Sequence, residues 1–168
     1  MKKDFSNIKL FAMDVDGTLT DGKIYIGNDG EGMKAFNAKD GLGIKLLIKK
    51  GIVPIIITGR RSKIVTRRCE EIGITVLYQG VRDKADILKN VMAKYDCTPE
   101  QTVYIGDDMN DLSAMQTAGI TFAPADCAAA LLPYVDFVLT QKSGDAPVRE
   151  AIDIILENRL TLSDYESI

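Results

Sequence analysis

The chain has 168 residues and a mass of 18.4 kDa, with 46% hydrophobic and 27% charged residues, which is globular composition with length for one domain and one sizeable core. A net charge of −3 and a pI near 5.0 leave no basic footprint for nucleic acid; no apolar run is long enough for a membrane span, and no signal-peptide core follows Met1-Lys2-Lys3-Asp4-Phe5, so a cytoplasmic protein is expected. The absence of histidine excludes a Ser-His-Asp triad and any histidine metal site, and Cys69, Cys97 and Cys127 are too widely spaced for a zinc cluster or a disulfide framework.

The first predicted element is the mostly apolar run Ile8 to Met13, which stops abruptly at Asp14 and reads as a buried parallel strand. A β-hairpin is predicted over Lys23 to Phe36, where two strand-like runs flank Gly27-Asn28-Asp29-Gly30-Glu31-Gly32. Asp40 to Lys50 follows as a helix with a basic last turn and a stop at Gly51. Val53 to Ile57 is a second buried strand, ending at Thr58-Gly59, and Ser62 caps a helix that runs to Gly73. Thr75 to Tyr78 is a third strand, and Asp83 to Tyr95 carries apolar residues at helical spacing. Thr98-Pro99-Glu100-Gln101 reads as a short helical turn, Thr102 to Ile105 as a strand that stops at Gly106-Asp107, and Asp108 to Ala118 as a helix. Strands at Ile120 to Ala123 and Asp136 to Leu139 and a helix at Ala146 to Leu156 complete the pattern, and the polar tail from Thr161 to Ile168 is expected to fray. Strands alternating with helices at this spacing give an α/β fold, a Rossmann-like three-layer sandwich around a central parallel sheet, from which the hairpin projects.

Ligands of such sheets bind beyond the carboxyl ends of the strands. Three of those ends are polar here: Asp14-Val15-Asp16-Gly17-Thr18, Thr58-Gly59-Arg60, and Gly106-Asp107-Asp108-Met109-Asn110-Asp111. Carboxylates gathered on one rim repel one another unless a cation neutralises them, and an all-oxygen donor set suits Mg²⁺. A metal, a carboxylate, a threonine and a lysine together make a phosphoryl-transfer site, in which one aspartate can attack phosphorus and a second can serve as acid and base. An EF-hand reading fails, because Tyr25 stands where that loop needs Glu.

These strand-end motifs, together with Lys84, resemble the four ordered motifs of the haloacid dehalogenase superfamily of phosphatases, over about Ile8 to Leu156. Asp16-Gly17-Thr18-Leu19-Thr20-Asp21-Gly22, Phe36-Asn37-Ala38-Lys39-Asp40-Gly41-Leu42-Gly43 and Tyr78-Gln79-Gly80-Val81-Arg82-Asp83-Lys84 are similar to its branch without a cap domain, which holds the 3-deoxy-D-manno-octulosonate 8-phosphate phosphatases and relatives acting on nine-carbon ulosonate 9-phosphates. The resemblance implies a Mg²⁺-dependent phosphatase for a small acidic sugar phosphate. In it Asp14 is the nucleophile and a metal ligand, Asp16 the general acid/base with its carbonyl on the metal, and Asp107 the third protein ligand. Thr58 and the amide of Gly59 hold the phosphoryl group, Lys84 neutralises it, and Asp108 and Asp111 orient the metal shell or Lys84. Arg60 is implied to contact the acidic sugar, with Lys39, Arg67 and Arg68 as weaker candidates, Arg67 and Arg68 reading equally as a solvated helix face. It also implies a homotetramer in which a neighbour's hairpin closes the site.

Two features depart from the octulosonate phosphatases and bear on substrate choice. Lys39 stands where they tend to carry an arginine, and Lys142-Ser143-Gly144-Asp145-Ala146-Pro147 has one glycine where they tend to carry two. Two other functions compete. A phospho-accepting receiver domain does not need Asp16, and an oligomerisation module needs none of Asp14, Asp16, Thr58, Lys84 and Asp107, all of which are present.

Overall fold

The computed structural model describes residues 3–166. Six parallel strands form the central sheet: β1 (Leu10–Met13), β4 (Val53–Thr58), β5 (Val76–Gln79), β6 (Thr102–Ile105), β7 (Ile120–Ala123) and β8 (Phe137–Val138), in the order β5-β4-β1-β6-β7-β8. The antiparallel pair β2 (Tyr25–Gly27) and β3 (Gly30–Met33) stands apart as the hairpin. The helices are α1 (Ala38–Lys49), α2 (Lys63–Ile72), α3 (Lys84–Lys94), the single turn α4 (Leu112–Met115) and α5 (Pro147–Ile155).

The alternation of side chains along the strands divides the core into two layers. Phe11 and Met13 of β1, Ile56 of β4, and Val103 and Ile105 of β6 face α1, α2 and α5, packing with Leu46, Leu47, Cys69 and Ile152. Leu10, Ala12, Ile55, Ile57 and Tyr104 face α3 and α4, packing with Leu88, Val91 and Met115. All four β1 residues are buried on both faces, as a central parallel strand requires, and each large apolar side chain so buried contributes ~1.5–3 kcal/mol. Pro54 fits because Val53 N–H donates to Lys9 O, just before β1, so the donor that proline lacks would face β5, whose pairing starts only at Ile55↔Val76. No helix among the described residues is long and apolar enough to cross a membrane.

The structure corrects several expected boundaries. α1 starts at Ala38 rather than Asp40, because the Asn37 side chain accepts from Lys39 N–H and makes Asn37 the cap. The helix expected over Asp108 to Ala118 is a 3₁₀ turn at Met109–Asp111 followed by α4, since Asp108 caps a tighter turn and the chain leaves the helix at Gln116. β8 is two residues long. The tail expected to fray carries local structure over its described part: Thr161 caps a 3₁₀ turn at Leu162–Asp164, and Asp164 pairs with Lys50 Nζ at 2.8 Å. Ser167 and Ile168 lie outside the described residues.

Asp40 sits in the first turn of α1 but is 2% exposed, packed under α5. One carboxylate oxygen accepts from Arg149 N–H at 2.7 Å, and the other has no hydrogen-bond partner among the described residues. Burial pushes its pKa up to about 7, against the pull of the Arg149 amide and of the Arg68 and Arg149 charges. An unfolded aspartate ionises near pH ~4. Between that pH and about 7 the folded chain therefore holds a proton that the unfolded chain has released, and stability falls as pH rises through this window. Asp40→Asn is expected to raise the unfolding free energy at pH 8 by about 1–3 kcal/mol and to leave it unchanged at pH 4, as urea titrations at the two pH values will show.

Candidate active site

The sheet order places β1 between β4 and β6, which brings the three polar strand ends to one rim. Met13 is level with Ile56 and with Ile105, so Thr58 and Asp107 each lie one step beyond the level of Asp14. Asp14 N–H completes the ladder to Ile105 O at 3.1 Å, fixing the first residue past β1. Its carboxylate accepts from Val15 N–H at 2.7 Å through Oδ1 and meets Lys84 Nζ at 2.8 Å through Oδ2. Thr58 ends β4 and is buried, and its carbonyl accepts from Val81 N–H at 3.1 Å, tying the second motif to the loop that leads into α3.

Lys84 opens α3 behind the cap made by Asp83. Its side chain is 2% exposed and also bonds Asp111 at 2.6 Å. Burial alone would lower the lysine pKa, but the charges of Asp111 and Asp14 outweigh it and hold the ammonium form. Asp111 is saturated. Its Oδ1 takes Lys84 and the Tyr104 hydroxyl at 2.7 Å, and its Oδ2 takes the amides of Asp107 at 3.1 Å and Asp108 at 3.4 Å. Tyr104 is the one polar side chain of β6 that reaches the site through the sheet, and burial and Asp111 push its phenol pKa well up.

Asp107 accepts from the Thr18 hydroxyl at 3.1 Å. Burial first, then Asp111 and Asp14, raise its pKa to about 7; burial and Asp111, opposed by Lys84, raise that of Asp14 to about 6. Asp14 and Asp107 therefore resist ionising together, which is the electrostatic signature of a site that takes a cation. Carboxylate oxygens of Asp14, Asp107 and Asp111 lie within 4.8 Å of one another. Because Asp111 takes two donors on each oxygen while Asp14 takes one on each, Asp14 and Asp107 are the carboxylates with lone pairs left to face an ion, and oxygen donors of this kind fit a hard divalent cation. Two glycines permit the arrangement. A Cβ on Gly17, at φ +92°, would lie 2.1 Å from Asp107 Oδ2, and one on Gly106 would lie 2.4 Å from Asp111 Cγ.

Asp16 stands across the rim. Its carboxylate is held by Lys34 of β3's trailing end, and Arg60 Nε lies 3.8 Å away. Lys34, 1% exposed at its side chain, also forms an ion pair with Glu31 at 3.0 Å, and Glu31 accepts from the hydroxyl of Ser62, the cap of α2. Four of the residues singled out in the sequence lie off the cluster. Asp108 turns its exposed carboxylate to its own turn, accepting from Met109 N–H at 2.7 Å; its amide rather than its side chain reaches Asp111. Lys39 is exposed on a groove lined by Asp145, Arg149 and Glu150. Arg68 is committed elsewhere, bonding Asn37 O and Glu71 and lying over the Phe36 ring, and Arg67 is exposed. Loop 142–147 braces the first motif: the Ser143 hydroxyl donates to Gly17 O, and Gly144 N–H donates to Thr18 O at 3.2 Å. Lys34, Tyr104 and Ser143 carry no local sequence signal for these contacts. Tyr104 alone offers a hint, as a hydroxyl inside an apolar strand that must find a partner.

A family model for haloacid dehalogenase-like hydrolases matches residues 74–152. The 3-deoxy-D-manno-octulosonate 8-phosphate phosphatase KdsC of Yersinia pestis is 47% identical over 151 residues, which cover 90% of this chain and 81% of the relative. The crystal structure of the Yersinia pestis enzyme superposes with a TM-score of 0.88, covering 90% of this chain and 82% of that one. The cobalt-bound deoxy-D-mannose-octulosonate 8-phosphate phosphatase of Haemophilus influenzae is 38% identical with a TM-score of 0.91, covering 97% and 95%. The Moraxella catarrhalis 3-deoxy-D-manno-octulosonate 8-phosphate phosphatase, in complex with magnesium, phosphate and KDO, is 40% identical with a TM-score of 0.88, covering 91% and 88%.

Proposed function

The chain belongs to the haloacid dehalogenase-like hydrolases and is a phosphomonoesterase, and from that premise we propose that it hydrolyses 3-deoxy-D-manno-octulosonate 8-phosphate with Mg²⁺ through an aspartyl-phosphate, in the supply of sugar for lipopolysaccharide. The observation that carries the reading is the rim itself. Asp14 is held by Lys84 at 2.8 Å and faces Asp107, with Asp16 two residues on and outside the buried cluster.

Asp14 and Asp107, with the backbone carbonyl of Asp16, would hold the ion, which when bound neutralises charge on the phosphoryl oxygens. Asp14 Oδ attacks phosphorus as the ester bond to the sugar oxygen breaks, and the departing oxygen takes a proton from the Asp16 carboxyl. The Asp16 carboxylate then takes a proton from water as that water attacks the aspartyl-phosphate, which frees Asp14 and releases phosphate. Thr58 and the Gly59 amide hold the phosphoryl group in line, and Lys84 balances the charge on Asp14 throughout. Arg60, half exposed at the mouth, supplies a cation for the substrate carboxylate. The hairpin supports the tetramer, since Ile26 is 77% and Met33 62% exposed, apolar surface that a neighbouring subunit's site mouth would cover. Three free cysteines suit a cytoplasmic enzyme.

The test is phosphate release with Mg²⁺ on octulosonate 8-phosphate, nine-carbon ulosonate 9-phosphates and simple sugar phosphates. The expected result is preference for the octulosonate, loss of turnover in EDTA and recovery on adding Mg²⁺. Equal turnover of all of them would remove the substrate assignment, and turnover that survives EDTA would remove the metal.

A further inference from the structure

The hairpin of this chain does more than present an apolar tip. Its base returns into the chain's own site, where Lys34, with its side chain 1% exposed, lies between the carboxylates of Asp16 and Glu31. A lysine so buried is uncommon unless it is fully paired. Here the pairing spans three separate parts of the chain: Asp16 follows β1, Lys34 and Glu31 belong to the hairpin, and Glu31 continues to Ser62, which caps α2 and donates its hydroxyl to Glu31 while accepting from Val65 N–H at 3.2 Å. Neither Lys34 nor Glu31 is part of the three strand-end motifs or of the Lys84 motif.

We propose that Lys34 is a positioning residue for the phosphatase reaction, a strut carried by the hairpin that fixes the rotation of the Asp16 carboxyl and so aims its second oxygen at the leaving group. The proposal rests on the reading of Asp16 as the acid/base. Lys34 bonds Oδ1 of Asp16. The oxygen left to exchange a proton is Oδ2, which looks toward Arg60 at 3.8 Å and the mouth of the site. A carboxyl on a short side chain at a half-open rim turns freely about its last bond unless one oxygen is tied. Glu31 holds Lys34 from the other side, and Ser62 holds Glu31, so the strut is anchored on a helix cap rather than on solvent.

A group that only positions the acid matters where the leaving oxygen needs a proton and not where it leaves unaided. The test is therefore kcat/KM of the full chain, with Mg²⁺, for octulosonate 8-phosphate, for a simple alkyl sugar phosphate without a carboxylate, and for p-nitrophenyl phosphate. Lys34→Met is expected to lower kcat/KM about 10²-fold for both alkyl esters and by less than about 3-fold for the aryl ester. Glu31→Gln, which keeps the lysine but loosens it, is expected to shift the same ratio in the same direction by about 5-fold, and Lys34→Arg to restore part of the loss. Equal loss on all three esters would make Lys34 a structural or phosphate-binding group and overturn the proposal. Loss on the octulosonate alone would make it a substrate ligand, and a gain would make it a latch; either result also overturns it. A wild-type chain inert toward every ester would instead remove the reading of the site on which the proposal rests.

Discussion

Asp14→Asn is expected to lower phosphate release by about 10⁴-fold or more, on the order of what deletion of a covalent nucleophile costs other hydrolases, and to leave the chain folded. The loss follows from chemistry, because the amide oxygen is too weak a nucleophile to open the phosphate ester. The retained fold follows from the surroundings. The amide can keep the bond from Val15 N–H that Asp14 Oδ1 accepts at 2.7 Å, and Lys84 keeps Asp111 at 2.6 Å. Burial and Asp111 already push the Asp14 carboxyl up to about 6, so removing its charge relieves a repulsion. Circular dichroism and urea unfolding check the fold, and steady-state phosphate release with Mg²⁺ checks the activity. A variant that retained more than about a tenth of wild-type turnover would exclude Asp14 as the nucleophile. Borohydride added during turnover separates covalent from direct attack: hydride reduces the acyl carbon of an aspartyl-phosphate and converts Asp14 to homoserine, whereas direct attack by water leaves Asp14 unreduced.

The strand ends were legible because each joins a buried apolar run to a polar turn with no transition. Ile105-Gly106-Asp107 reads as an end in the sequence and is one in the structure. The parallel sheet was legible for the same reason, since four-residue apolar runs separated by helical spacing have few alternatives. Short-range chemistry was also readable: Ser62 caps α2 through its own side chain, while Asp83, expected inside its helix, stands just outside it as the cap of α3. Contacts between distant segments were not. Asp40 looks like a helix-start acid, and only the packing of α5 across α1 buries it under Arg149. Lys34 looks like a solvent-facing lysine in an exposed hairpin, and it is buried because the hairpin folds back on Asp16. Asp108 and Asp111 are alike in sequence, three residues apart. The tight turn at Met109–Asp111 sends one carboxylate outward as its cap and the other inward to Tyr104 and Lys84. The same turn takes the first residues of the helix expected over Asp108 to Ala118.

The Asp111 geometry sets the second large expected effect. Lys84→Met is expected to lower the unfolding free energy by about 3–5 kcal/mol, the cost of leaving buried carboxylates without their cation, and to lower turnover by about 10²–10³-fold, as loss of one buried charge on a transferring group does. Methionine fills most of the lysine stem, so the loss is one of charge rather than volume. Lys84 serves two carboxylates whose side chains are 5% and 0% exposed, and the two are not equivalent. Asp111 keeps Tyr104 and two backbone amides when the lysine goes, whereas Asp14 keeps only the amide of Val15. The penalty should therefore fall mainly on Asp14. In the Asp14→Asn background the same Lys84→Met change is expected to cost about 1–3 kcal/mol less than in the wild type, a coupling of the size found for groups in direct contact. Urea unfolding of the four proteins in EDTA measures it without a contribution from bound metal. Equal costs in the two backgrounds would mean that Lys84 stabilises the fold through Asp111 alone, and its charge would then belong to the frame of the site rather than to the nucleophile.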